Sequence, residues 1–281
     1  MARLPDLPDL PDLPPAAQAA PAPRVAPFAR GLALLGAFTA QERWLSTREI
    51  AARTDIPAPT VSRLLRSLVA LGYLHRDAAL RKYALAAAVL SLGYAAIAHS
   101  ELRLVARRLM QEMGDSTQTH LALGTRDRLD IVVLEHCKGQ GAMIPRDYQV
   151  GERLGICGSP LGWALLGALP DSERFYLLEN LERRFPREWS RSRRRIGEAM
   201  SQVMGGGFCA CPGEGRSDMV TVAAPLMLTD GAPLVLGCLG RGERMTRARV
   251  DRDIGPRLLA IALRLQQAYA SGHPASAEAA T

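Results

Sequence analysis

Apolar positions first fall into a helical rhythm at Gly31–Phe38, where Leu32, Leu35 and Phe38 share one face. Ser46-Thr47-Arg48-Glu49 then carries the signature of a helix start, with Ser46 as N-cap and Glu49 as its reciprocal partner. The helix continues through Ile50–Arg53 and breaks at Thr54-Asp55-Ile56. Pro57-Ala58-Pro59 opens the next one, in first-turn positions whose amides have no intrahelical acceptor. Val61, Leu64, Leu65, Leu68 and Leu71 form its apolar stripe and leave Thr60, Ser62, Arg63, Arg66 and Ser67 outward, until Gly72 ends the helix. Tyr73–Arg76 and Arg81–Leu85 alternate at period two around Asp77–Leu80, the pattern of a hairpin. Helix, short helix, sharp turn, longer helix and basic hairpin together predict a winged helix-turn-helix.

Ala84–Ala98 predicts an alanine-rich helix whose small residues suit close packing between two domains or two subunits. A break near His99-Ser100 separates it from a helix over Glu101–Met113. Gln118–Gly124 pairs with Leu129–Cys137 about Thr125–Arg128, and Asp218–Leu228 with Leu234–Arg241 about Thr229–Ala232. Helices are expected over Ser159–Leu169, Asp171–Leu181, about Arg195–Met204, and Arg257–Tyr269. Antiparallel strands with helices on their faces make this an α+β domain. The expected division is a disordered Pro/Ala-rich leader (1–29), a winged helix-turn-helix DNA-binding domain (30–85), a linker helix (86–100), a larger domain (101–271) and a flexible tail (272–281). The leader holds eight of the 19 prolines and a threefold Leu-Pro-Asp repeat at Leu4–Asp12, a spacing that forbids helix and sheet alike.

Charge sharpens the picture by its location. The 281 residues carry a net +7, and residues 30–85 alone hold nine basic and four acidic groups, a net of +5. A groove-reading module needs that concentration, because displacing counterions from phosphate drives much of its binding. Pro59, Thr60, Ser62, Arg63 and Arg66 lie on the helix expected to enter the major groove of double-stranded operator DNA. Arg63 and Arg66 are the candidates for bidentate reading of guanine. Arg48 on the preceding helix and Arg76, Arg81 and Lys82 on the wing are expected at phosphate or an adjacent minor groove. No stretch reaches the roughly 18–20 apolar residues of a membrane span, and no export signal is evident, so a cytoplasmic protein without a membrane partner is expected.

Other chemistry is thinly represented. No paired general acid and base, nucleophile elbow or phosphate-binding glycine loop is evident, so no enzyme activity, cofactor or metal is expected. His120 and His136 lie on strands and read as structural. The five cysteines are expected reduced. Cys209-Ala210-Cys211 puts two thiols on one side of an extended segment, with Cys157 at a helix start that would lower its pKa, and a thiol-based redox or metal-sensing regulator is the alternative reading. The run Arg183, Arg184, Arg187, Arg191, Arg193, Arg194, Arg195 is expected in a solvated loop or at a subunit interface rather than on a second DNA surface.

Several strings match one known family in order and spacing: Arg30–Leu35, Ile56–Leu65, Leu71–Leu74, Tyr83–Leu85, Ser159–Leu166, Gly206–Phe208 and Val222–Pro225. From Arg30 onward the chain resembles IclR-family transcriptional regulators. The resemblance implies a homodimer or dimer of dimers (homotetramer), joined partly through the DNA-binding domains, and a GAF-like C-terminal domain that binds a small organic effector. It places Cys157, Gly158, Ser159, Leu161, Cys211, Thr221 and Cys238 around that effector. Family members usually carry His at Cys157, Lys at Trp163, acidic residues near Cys211-Pro212, Cys at Thr221 and small polar residues near Gly237–Leu239, so the ligand class does not transfer. A more apolar ligand, an organic acid or small aromatic, is expected, its carboxylate drawn to free amides at Gly158 and Ser159.

Overall fold

The computed structural model describes residues 25–39, 42–97, 101–143, 148–213, 218–228 and 233–272. The leader up to residue 24, the break at His99-Ser100, the turn Thr229–Ala232 and the tail beyond 272 lie outside these residues.

The first element of the described residues is helix α1 (Ala26–Leu35), which has a proline in its first turn. It starts upstream of the expected Gly31, and its buried residue is Leu34, while Leu32 is exposed. With Leu32, Leu34 and Leu35 all apolar, its own periodicity does not choose a face; docking on the neighbouring helices does. Strand β1 (Leu45–Ser46) leads into α2 (Thr47–Thr54). The capping box is in place: Ser46 Oγ accepts the Glu49 N–H at 3.3 Å and Glu49 Oε2 accepts the Ser46 N–H at 2.7 Å. Asp55 takes left-handed φ (55°) as the C-cap, turning the chain into α3 (Ala58–Ala70). In α3, Val61 and Leu65 are fully buried and Leu64 and Leu68 half-buried, whereas Leu71, expected on the stripe, is 68% exposed as the C-cap. There the Tyr73 N–H reaches Leu68 O and the Gly72 N–H reaches Val69 O, with Gly72 at φ +77°, a Schellman ending that releases Leu71 from the helix face. Strands β2 (Leu74–Asp77) and β3 (Lys82–Leu85) form the expected hairpin, and β1 joins β3 as a third strand that the sequence did not disclose. Leu34, Leu45, Ile50, Ile56, Val61, Leu65, Leu74 and Tyr83 close one small core.

Ala84 and Leu85 belong to β3, so the linker helix α4 begins later than expected, at Ala87, and runs to Ile97. Helix α5 (Glu101–Thr117) follows, then β4 (His120–Asp127), β5 (Asp130–Lys138) and β6 (Arg153–Gly155). A 3-10 turn at Ile156–Gly158 precedes α6 (Pro160–Ala168), α7 (Asp171–Arg184) and α8 (Pro186–Gly206). The arginine run therefore lies in the last turn of α7 and along α8 and not in a loop. Pro186 reads as a breaker yet occupies the first turn, where it is tolerated. Strands β7 (Cys209–Pro212), β8 (Met219–Leu226) and β9 (Leu234–Arg241) complete the sheet. A short α9 (Arg247–Arg249), a π-helical turn (Val250–Ile254) and α10 (Gly255–Gly272) end the described chain.

The six strands run β6-β5-β4-β9-β8-β7, every neighbour antiparallel. Helices α6, α7 and α8 cover one face, over Ala122, Ile131, Val133, Cys209, Cys211, Ala223 and Val235. Helices α5 and α10 cover the other, over Leu121, Leu123, Cys137, Val222, Ala224, Leu236 and Cys238. Helix α5 is tied down by Glu135, buried on β5, which accepts from Arg103 Nε at 2.8 Å and Arg107 Nη1 at 3.4 Å. Its C-terminal end comes so near the β5 exit that a Cβ on Gly139 would stand 1.9 Å from Gly114 O, a backbone contact with nowhere to move.

Gly139→Ala should therefore destabilise the protein by about 2–3 kcal/mol, the usual cost of overpacking. Gly197→Ala, where nothing lies within 4 Å on a helix interior, should stabilise it by about 0.5–1 kcal/mol. Urea unfolding of both variants checks the opposite signs.

Candidate nucleic-acid interface and ligand-facing sheet surface

Helix α3 buries Val61 and Leu65, and at about 100° per residue the opposite line is Pro59, Arg63, Arg66 and Ala70. All four are exposed. Thr60 and Ser62, expected outward, flank Val61 on either side and are half-buried, so they border the exposed line. Arg48 is exposed in the first turn of α2. On the wing, Arg76 and Arg81 are exposed, and Arg81 sits at the hairpin turn with φ +50°. Lys82 is half-buried, with Nζ 3.8 Å from Glu49 Oε2, so its charge ties the wing to α2. Hydrogen bonds from the Ser46 backbone and hydroxyl hold the Glu49 carboxyl below its usual pKa, which keeps that partner charged. Arg53 is likewise engaged, with Glu42 and with Ala37 O.

In the second unit, antiparallel register aligns Cys211, Thr221, Leu239 and His120 across four strands, with Cys209, Ala223, Gly237, Ala122 and His136 in the adjoining row. Leu161 on α6 lies over that row, so close that a Cβ on Gly237 would stand 2.7 Å from its Cδ1. Cys157 is in the turn before α6, and its carbonyl accepts the Trp163 indole N–H at 3.2 Å. Cys157, Leu161, Cys211 and Thr221 thus share the α6 side of the sheet. Cys238 does not join them. One residue out of phase with Gly237 and Leu239, it points to the α5/α10 side, where its Sγ lies 3.3 Å from Thr119 Oγ1.

Two further expectations change. Ser159 N–H is not free but donates to Ile156 O at 3.4 Å, and Pro160 has no N–H, so the amides expected at Gly158 and Ser159 are not both on offer. Burial, with Glu188 adding to it, raises the Cys157 thiol pKa, the reverse of the lowering expected at a helix start. Cys209 and Cys211 lie on one side of β7 with sulfurs 4.0 Å apart, and the Cys211 hydrogen bond together with burial holds the Cys209 thiol protonated. Both cysteines are buried, and a thiol held protonated as Cys209 is makes a weak nucleophile, since the thiolate is the reactive form.

His120, His136, Tyr148 and Arg195, none of them expected at a ligand site, come to this same face. His120 Nε2 lies 3.3 Å from His136 Nδ1, and Tyr148 packs edge-on against His120 with centroids 5.3 Å apart. Arg195, the half-buried member of the arginine run, stacks over Trp163 at 5.1 Å and donates to Pro212 O at 2.7 Å. The alternation His120-Leu121-Ala122 could have assigned His120 to the Ala122 face; nothing local announces the Arg195–Trp163 stack. Among the described residues no group of three or more His, Cys, Asp or Glu is arranged to hold a metal ion, and no helix is long and apolar enough to cross a membrane.

Known proteins give a consistent picture. Residues 28–78 match the model of the IclR helix-turn-helix domain and residues 94–266 that of the bacterial transcriptional regulator IclR C-terminal domain. The chain is 29% identical to the HTH-type transcriptional regulator TsaQ1/TsaQ2 of Comamonas testosteroni, over 89% of this chain and 90% of that one. It is 30% identical to the Pca regulon regulatory protein of Pseudomonas putida, over 83% and 80%. A solved IclR-family transcriptional regulator from Brucella abortus superposes with TM-score 0.80 at 38% identity, covering 88% of this chain and 93% of that one.

The buried thiols give a pH prediction. Burial raises both Cys137 and Cys238 to about 11, whereas thiols of an unfolded chain ionise near pH 8.5. The native state therefore holds these protons more tightly, and their contribution is complete below about pH 8.5 and lost as pH rises toward 11. Urea midpoints should fall from pH 8 to pH 10.5, and less so in the Cys137→Ala/Cys238→Ala double variant. Equal slopes in the two proteins would contradict this.

Proposed function

The chain belongs to the IclR family of bacterial transcriptional regulators, ligand-responsive DNA-binding proteins, and on that premise we propose how its parts divide the work. Residues 30–85, with α1 completing their core, read double-stranded operator DNA; residues 86–100 link; residues 101–271 bind the effector. The observation that carries the assignment is the exposed line Pro59, Arg63, Arg66 and Ala70 opposite a buried Val61–Leu65 stripe, beside a wing bearing Arg76 and Arg81. Arg63 and Arg66 read base edges, and Thr60, Ser62, Arg48, Arg76 and Arg81 hold the backbone. Lys82 positions the wing.

The protein acts in the cytoplasm as a homodimer or a dimer of dimers and carries out no catalytic step. Phe28 and Leu32 on α1 and Leu90, Leu92 and Tyr94 on α4 are exposed apolar side chains beside the reading head, suited to a second copy. A dimer sets two recognition helices about 34–36 Å or a multiple apart, and an effector that favours one subunit arrangement changes the fit to that spacing. The effector is a small organic acid or aromatic acid on the α6 side of the sheet, against Cys157, Gly158, Ser159, Leu161, Cys211 and Thr221. Apolar walls and the neighbouring Arg195–Trp163 stack support that class. Cys238, on the opposite face, is dropped from the set.

Arg63→Ala and Arg66→Ala should each cost about 1–3 kcal/mol on a duplex selected by the protein from random sequence, and should relax preference at separate base pairs. Quantitative gel shifts on single-base variants of the duplex measure this; unchanged preference would overturn the base-reading role. Thr221→Leu, which fills the α6 side with an extra apolar group, should leave duplex binding intact and abolish its response to added benzoate-type acids.

A further inference from the structure

The wing tip carries a feature that phosphate contact does not use. Between Asp77 and Lys82, the last cross-strand pair, the chain turns through Ala78, Ala79, Leu80 and Arg81. Leu80 is 59% exposed at the end of the hairpin, outside the domain core. Its N–H donates to Asp77 Oδ1 at 2.8 Å, which fixes the turn and satisfies the amide nearest the apolar side chain. Arg81 follows in the left-handed region, φ +50°, a conformation that disfavours non-glycine residues and here closes the turn into β3. The two alanines before Leu80 keep the tip narrow, while Arg76 and Arg81 stand exposed on the two sides of the turn.

We propose that Leu80 is an apolar wedge that enters the DNA minor groove beside the site read by α3 and partly unstacks one base step. The inference rests on the DNA-reading assignment and adds a second, deforming contact to it. Its occupant is set by continuity with that interface and by charge: the two arginines flank the tip where phosphates flank a minor groove about 6 Å wide. Alanines fit such a groove, and a branched apolar side chain with no unpaired amide beside it can sit between bases. Side chains of this kind kink duplexes by roughly 20–90° and make the bound sequence depend on how easily a step deforms. A phosphate-gripping tip would carry a polar or basic residue at this position.

The test uses the full chain and a duplex that the unaltered protein enriches from a random-sequence library. Bending is read by circular-permutation gel shift, and step opening by 2-aminopurine fluorescence at the wing-proximal step. Leu80→Ser should melt like the unaltered protein, bind about tenfold more weakly, bend the duplex less and lose the fluorescence rise. Its salt dependence should keep the same slope, because no cation is removed, whereas Arg81→Ala should flatten that slope. Leu80→Phe should retain bending and fluorescence. A Leu80→Ser protein with unaltered bend and fluorescence, whatever its affinity, would overturn the wedge. Failure of the unaltered chain to enrich any duplex would overturn the DNA-reading assignment first and the wedge with it.

Discussion

Everything in the larger unit follows from a six-stranded antiparallel sheet that is buried on both faces. Side chains alternate along each strand, so each strand position belongs to one of two compartments, and a one-residue slip would exchange them. On β9 that rule separates Gly237 and Leu239, which face α6, from Cys238 and Leu236, which face α10 and α5. On β5 it turns His136 toward one side and leaves Glu135 and Cys137 on the other. Strand β5 therefore touches both compartments: the imidazole pair on the α6 side, and the Arg103 and Arg107 ion pairs that hold α5 on the other. Helix α5 follows the linker helix in sequence, so β5, three strands from β8 and its Thr221 but in the same sheet, is the strand that anchors the route to the reading head. A ligand that fits two arrangements of that anchor unequally shifts their populations, and no more than that difference in fit is needed for regulation.

The reading head obeys a more local logic, and the sequence disclosed it accordingly. Ser46 and Glu49 cap each other within three residues, and Pro57-Ala58-Pro59 opens a helix at the place where prolines do no harm. The hairpin register is closed by a turn of four residues. Each of these is decided by neighbours in the chain, and the element types came out as expected. What failed there was tertiary. Leu34 rather than Leu32 is buried because α1 is apolar around much of its circumference and its partners choose the face. Strand β1, two residues long, exists only because β3 accepts it.

The candidate ligand surface was legible only in part, for the same reason. Cys157, Leu161, Cys211 and Thr221 come together, but across strands β7 and β8 and the turn before α6, a meeting that no spacing in the sequence encodes. His120 and His136 are paired by the β4–β5 register, shifted by a bulge near Leu123 and Gly124, which moves His136 to the Ala122 side. The arginine run read as a loop because Pro186 and seven cations within thirteen residues leave the first half of α8 without an apolar stripe; its buried Ile196, Ala199 and Val203 all lie in the half that was expected as helix. Three of its six exposed members, Arg187, Arg191 and Arg194, nevertheless form a basic line on α8, the rival surface to α3 for nucleic acid.

That competition bears on the central claim, that α3 and the wing, with Arg48 at the start of α2, meet DNA and α8 does not. Amide hydrogen exchange of the full chain, with and without its selected duplex, decides it residue by residue. The account predicts slowed exchange across residues 58–70 and 74–85 on binding, with unchanged exchange across 186–206. Protection of the α8 segment with none in α3 would contradict it.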